Sequence, residues 1–252
     1  MNDALLRIQG LCKSFDGIKA LNGFSCSVQR SEIVGLVGPN GAGKTTLFNV
    51  LTGFLPADSG LATFRGIGLL GRSPHVIAAS GIARTFQSLR LIRRMTVLEN
   101  VLLCFREQPG ERLAKVFFRW RACARKEAEN RGSAHSLLAG VGLAEKADDP
   151  ADNLSYGQQK LLSLACCLAS GAELLLLDEP VAGIAPEMIE CMLSIIRGLP
   201  AQGRSVLLIE HNLDAVARVC SRVVFMDSGA AVCEGTPQQI RDDPRVIEAY
   251  ID

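Results

Sequence analysis

The sequence predicts an α/β core interrupted by a helical insertion. Three observations carry that expectation. Apolar runs of strand length alternate with helix-spaced stretches at both ends of the chain, a glycine-rich loop joins one such run to a helix, and residues 98–143 hold long helix-forming stretches. With 252 residues and 48% hydrophobic content, a packed core needs no disulfide or metal staple.

Taken in order, residues 5–11 and 24–28 alternate apolar and polar side chains, as strands do. Residues 32–37, Glu-Ile-Val-Gly-Leu-Val, are nearly continuously apolar and read as a strand buried on both faces. Helical spacing follows over 45–55 and stops at the glycine and proline of 53–56. The middle carries a basic segment, with Arg112, Lys115, Arg119, Arg121, Arg125, Lys126 and Arg131 around Phe117, Phe118 and Trp120. From Gly157 the α/β pattern resumes: a helix over 161–169, then strands over 173–178, 205–209 and 222–226.

Charge and cysteines narrow the classes. A formal net charge of +1, with both signs spread along the chain, gives no general electrostatic case for nucleic acid as a partner. Nine cysteines are an odd number without C-x-x-C or metal-type spacing, which points to buried free thiols in a reducing compartment, with a redox or metal role as the lesser alternative. The N-terminal residues lack a basic segment followed by an apolar one, and no stretch reaches the roughly 18 apolar residues of a membrane span. The expectation is a soluble, cytosolic chain.

Gly38-Pro39-Asn40-Gly41-Ala42-Gly43-Lys44-Thr45 matches G-x-x-x-x-G-K-[ST] at each fixed position. Glycines let backbone N–H groups close on phosphate oxygens, and the following helix offers its positive end. Lys44 would then reach the β- and γ-phosphates, and the Thr45 hydroxyl would ligate Mg²⁺. The leucine strand over 173–178 ends in Asp178, a second metal-supporting candidate, where an open parallel sheet places its ligand crevice. Glu179, one step on, would orient and polarise an attacking water.

Between these two lies Leu154-Ser155-Tyr156-Gly157-Gln158-Gln159-Lys160. Ser155 and Gln158 have the spacing of a capping box, and a helix start whose donors face an anion can clamp a phosphate. Taken alone, the same residues read as an ordinary capped helix. His211 follows an apolar strand and Glu210, where it could contact a γ-phosphate, whereas His75 and His135 read as structural or exposed. Gln87 is a candidate sensor of metal or water, and Phe15 could stack on a base.

As a set, these residues resemble the ATP-binding subunit of an ABC transporter over essentially the whole chain. The resemblance implies a P-loop NTPase (RecA-like) α/β core with an N-terminal antiparallel β subdomain and a helical insertion. It implies one ABC ATPase domain over 1–252, with the nucleotide-binding core over about 1–90 and 158–252 and a helical subdomain over about 91–157. Residues 38–45, together with Thr46, would form the Walker A loop, Gln87 the Q-loop, residues 154–158 the signature, 174–178 Walker B, Glu179 the catalytic base and His211 the switch histidine. Two such subunits, identical or related, would sandwich two ATP molecules, each held between one subunit's Walker A and the other's signature. The implied reaction is ATP hydrolysis to ADP and phosphate with Mg²⁺, on the inner face of the cell membrane, beside two transmembrane permease subunits and, indirectly, an extracytoplasmic solute-binding protein.

Arg84-Thr85-Phe86-Gln87, Met95-Thr96-Val97-Leu98-Glu99-Asn100-Val101, Tyr156 and the ending from Glu234-Gly235-Thr236-Pro237 onward look like the branched-chain amino-acid uptake group. The basic insertion from Arg106 to Arg131 falls where that group carries extra helices. It would lie near the membrane or permease, or else form a solvated face. Two positions depart from the group: Ala185 puts a methyl where a hydrogen-bonding side chain is expected, and Cys166 stands in place of an arginine. Rival readings are a non-transport ABC protein, a lipid-exporting ATPase and a regulator that holds ATP without useful hydrolysis.

Overall fold

At the N-terminus the alternating residues form two long strands, β1 (Leu6–Phe15) and β2 (Ile18–Val28), joined by Asp16-Gly17. Both turn residues have positive φ, 46° and 87°, which suits the tight hairpin that pairs Phe15 with Ile18. After β3 (Ile33–Val37), whose five residues are all buried, helix α1 (Lys44–Leu51) follows the glycine loop. Then β4 (Ser59–Phe64) pairs antiparallel with β1, and β5 (Ile67–Gly68) pairs with β4. The resulting four-stranded sheet has the order β2-β1-β4-β5. The computed structural model describes residues 4–86, 89–106 and 120–251, except for the side chains of Trp120, Tyr250 and Ile251. Gln87 and the basic and aromatic residues Arg112, Lys115, Phe117, Phe118 and Arg119 lie outside the described residues.

Helix α2 (Pro74–Ser80) leads into β6 (Ile82–Arg84), an edge strand of a second sheet. Its other strands are β3, β7 (Leu174–Asp178), β8 (Ser205–Ile209), β9 (Arg222–Asp227) and β10 (Ala230–Gly235), in the order β10-β9-β3-β8-β7-β6. All pairings in it are parallel except β9 with β10. β3, β7 and β8 are buried at every residue, the pattern of strands covered on both faces. Parallel pairing also puts the carboxyl ends of β3, β8, β7 and β6 along one edge, so Gly38, Glu210, Glu179 and Thr85 each begin a loop there. Leu47, Phe48 and Leu51 of α1 are buried in one core cluster with Leu11, Phe24 and Phe64 of the first sheet and Leu36, Leu176 and Leu207 of the second.

The described residues divide into two units. The first comprises residues 1–87, 173–182 and 196–252 and contains both sheets. The second comprises residues 88–172 and 183–195. It holds α3 (Val97–Leu102), α4 (Trp120–Gly140), α5 (Tyr156–Ala169) and the first part of α6 (Pro186–Gly198). Residues 158–172 and 183–195, expected from sequence in the nucleotide-binding core, thus group with the helical part. Within this unit a capping box between Thr96 and Glu99 starts α3. The buried amide of Asn100 donates to the carbonyls of Ile92 and Thr96 and accepts the Ile92 N–H, which fixes the approach to the helix. The first unit ends with α7 (Leu213–Val219), α8 (Pro237–Arg241) and α9 (Pro244–Ile251). Among the described residues no helix is long and apolar enough to cross a membrane.

Candidate active site

The loop from Gly38 to Thr45 leaves β3 and enters α1, and two of its glycines are dictated by crowding. A Cβ at Gly38 would collide with the carbonyl of Met226, and one at Gly43 with the carbonyl of Ala20; both residues also have positive φ. Gly43 is the N-cap of α1, so no side chain caps this helix, and no acidic residue sits in its first turn. An α-helix cannot satisfy its own first N–H groups. Those of α1 are therefore presented, with the positive end of the helix dipole, to whatever the loop encloses.

Lys44 is buried to 6% exposure, and its ammonium donates to the carbonyl oxygens of Gly38 (2.7 Å) and Pro39 (2.8 Å). Burial pushes its pKa below the usual lysine range, while the carboxylates of Glu179 and Asp178 act in the opposite direction. A cation that is short of solvent, beside an uncapped helix start, fits a polyphosphate. Thr45 is exposed and Thr46 half-buried, so their hydroxyls remain available on the same turn; Asn40 and Gly41 form the exposed tip and Ala42 packs inward.

Asp178, 5% exposed, closes β7. Its N–H donates to the Thr85 hydroxyl (3.0 Å), and its Oδ2 accepts from Nη2 of Arg84 (2.9 Å). Nη1 of the same arginine donates to Asn49 Oδ1 on α1 (2.7 Å), and the guanidinium lies 5.3 Å from the Phe48 ring and 5.0 Å from the Phe86 ring. Arg84 therefore holds the strand-end carboxylate and the helix after the loop in one arrangement. Asp178 and Thr45 offer the hard oxygen donors that Mg²⁺ takes, with phosphate oxygens and waters expected to complete its shell. Among the described residues no three His, Cys, Asp or Glu side chains form a metal cluster without such help.

Glu179 has a left-handed backbone, φ 48°, uncommon for a residue other than glycine. Its N–H donates to the Ile209 carbonyl (2.9 Å), and the turn brings its Oε1 to 2.8 Å from Nε2 of His211, at the end of β8. The Glu179 side chain is 17% exposed and that of His211 38%, so the pair opens to solvent on one side. Next to them, buried Glu210 accepts the Val181 N–H (2.9 Å) and fixes the start of the loop after Glu179. His75 and His135 are exposed on helices of their own. Phe15 ends β1 at 41% exposure with the Lys13 ammonium 5.3 Å from its ring centroid.

Ser155, Gly157 and Gln158 belong to the second unit. Ser155 is the N-cap of α5, with its Oγ accepting the Gln158 N–H (3.4 Å) and Gln158 Oε1 accepting the Ser155 N–H (3.0 Å). Gly157 is buried where a Cβ would press on Met188, and Tyr156 stands 47% exposed under the Lys160 ammonium. Ala185 is exposed just before α6, where its carbonyl accepts the N–H groups of Met188 and Ile189. The first unit thus brings Lys44, Asp178, Glu179 and His211 to one sheet edge. Sequence reasoning missed Asn49 and Glu210 at that edge and gave Arg84 and Thr85 no site role. Their signal, polar residues flanking apolar strands, is too common to stand out.

Residues 21–182 match the ABC transporter family, and residues 232–251 match the branched-chain amino acid ATP-binding cassette transporter family. The chain belongs to the ABC transporter family. This ATP-binding cassette is 38% identical to the high-affinity branched-chain amino acid transport ATP-binding protein BraF of Pseudomonas aeruginosa over 252 residues, covering 100% of this chain and 99% of that one. It is also 38% identical to the corresponding protein LivG of Escherichia coli with the same coverage. A crystal structure of the ADP conformation of an ATP-binding cassette of an ABC transporter superposes with a TM-score of 0.85 at 35% identity, covering 98% of each chain. As an ABC cassette, the chain binds ATP or ADP and serves as the ATPase subunit of a transporter, a role that entails permease partners and pairing of cassettes.

Proposed function

We propose that this cassette hydrolyses Mg²⁺-ATP to power uptake of branched-chain or related amino acids through separate permease subunits. The reading of the chemistry rests on one observation, the pairing of Glu179 with His211 at the strand edge that also carries Lys44 and Asp178. The reading of the solute rests on the likeness to the relatives named above, and the permease and a solute-binding protein would make the actual selection.

In this scheme Lys44 exchanges its two carbonyl partners for phosphate oxygens, and the first-turn N–H groups of α1 hold the β-phosphate. Thr45 and Asp178 would hold Mg²⁺, which supplies charge neutralisation at the phosphates when bound. Glu179 accepts a proton from the attacking water, with His211 fixing the carboxylate through Nε2. Gln87 would sense the metal or the water, and Phe15 would stack on the adenine. Ser155, Gly157 and Gln158 would face the nucleotide of a second cassette, identical or related. The assembly would sit peripherally on the cytoplasmic face of the membrane.

Uptake of labelled leucine, isoleucine and valine by cells with and without the chain tests the solute class; loss of uptake is expected, and unchanged uptake of all three would overturn it. Steady-state ATPase with and without the proteins that co-purify from membranes tests the enzyme. Ala185 supports a second reading, a cassette whose two sites communicate poorly, which predicts turnover unaltered by the partners.

A further inference from the structure

Cys104, two residues past α3, and Cys166, in the third turn of α5, both direct their thiols at one backbone oxygen. Cys104 Sγ lies 3.4 Å and Cys166 Sγ 3.5 Å from the carbonyl of Asn100. A shared acceptor keeps the two sulfurs within two hydrogen-bond lengths of each other, and α3 packs directly on α5. Interaction between the two neighbouring thiols draws Cys104 below the ordinary thiol value and, with burial, pushes Cys166 well above it. The surroundings sort the cysteines further. Cys104 and Cys166 are only partly buried, whereas Cys26, Cys167 and Cys220 are enclosed, with burial the main cause pushing each up to about 12.

We propose that Cys104 and Cys166 form an oxidant-responsive dithiol that closes to a disulfide across α3 and α5. The oxidant is a peroxide. Cys104 gives up its thiol proton, and its thiolate attacks one peroxide oxygen; the O–O bond breaks, hydroxide leaves to become water, and Cys104 becomes a sulfenic acid. Cys166 then gives up its proton as its sulfur attacks that of Cys104; the S–S bond forms, the S–O bond breaks and a second water departs. Two thiols and one hydrogen peroxide yield one disulfide and two waters, the thiols losing the two electrons that the peroxide gains. A dithiol reductant reverses the change by exchange. Placement fits these roles: Cys104 lies past the end of α3, where its sulfur meets the oxidant, and Cys166 resolves from within α5. Because Ser155 caps α5, the closed disulfide fastens the helix that carries the signature residues to its neighbour. The proposal concerns thiols outside the nucleotide edge and stands apart from the reading of Glu179 or the solute.

Full-length protein is treated with hydrogen peroxide, alkylated, digested and read by mass spectrometry with and without dithiothreitol. The expected result is a cross-linked peptide pair containing Cys104 and Cys166, two hydrogens lighter than the free pair and reversed by the reductant. C104S should abolish it. C166S should leave Cys104 as a sulfenic acid trapped by dimedone, and C104S serves alone if C166S fails to fold. Thermal unfolding of the oxidised wild type should show a higher Tm than the reduced form, a shift absent from C104S. Both cysteines remaining alkylatable after peroxide, or cross-linking of other cysteines to the same extent, would overturn the proposal.

Discussion

Two helix starts in this molecule are built on opposite plans. Helix α1 begins at Gly43, with no capping side chain, no acid in its first turn and a buried lysine as its first residue. Helix α5 begins at Ser155 with a complete capping box, so its own side chains occupy donors that α1 leaves unsatisfied. The first is poor helix design and good anion design, since the missing cap keeps N–H groups for a ligand. The second is good helix design whose serine oxygen already accepts one bond, which leaves its hydroxyl hydrogen to donate outward. One start therefore leaves donors open at a cost in stability, and the other is satisfied by its own side chains.

Substitutions can break this contrast. E179Q should lower ATP turnover by about 10²- to 10⁴-fold while ATP binding persists, the scale of losing a general base; full turnover in single-turnover kinetics would remove Glu179 from that role. R84M should destabilise the fold by roughly 3–5 kcal/mol in urea unfolding, because it leaves the Asp178 carboxylate buried without its cation. K44M should weaken nucleotide binding about 10- to 100-fold, the scale of a charge-assisted bond, while changing stability little, since a cation disfavoured by burial is replaced by an apolar stem. S155A should do the reverse. It should cost about 1 kcal/mol of stability, as cap removal does, and leave nucleotide affinity of the isolated chain unaltered in a titration. A large stability loss in K44M or a large affinity loss in S155A would dissolve the distinction between the two starts.

Legibility in the sequence followed the same divide. The glycine-rich loop and the strands leading to Asp178 and His211 announce themselves, because each needs an apolar run or a fixed glycine pattern that few other structures produce. The capping box at Ser155 was readable for the same reason: its spacing is local. Residues 59–68 passed unnoticed, since β4 and β5 are short, largely exposed and held by pairing with a strand far away in sequence. Arg84 carried no local sign of its task, which arises only where the ends of β6 and β7 and helix α1 meet. Cys166 stands in an apolar stretch, Leu164-Ala165-Cys166-Cys167-Leu168, but the acceptor it shares with Cys104 depends on how α3 and α5 pack.

The left-handed backbone of Glu179 limits what this position can become. Side chains branched at Cβ are nearly barred from φ near 48°, and glycine adopts it without penalty. A drift to glycine would relax the chain while erasing its carboxylate, so E179G should unfold at higher denaturant than wild type, by roughly 0.5–1 kcal/mol. The glutamate therefore occupies a backbone conformation that suits glycine better, so its carboxylate is held in place at a standing conformational cost.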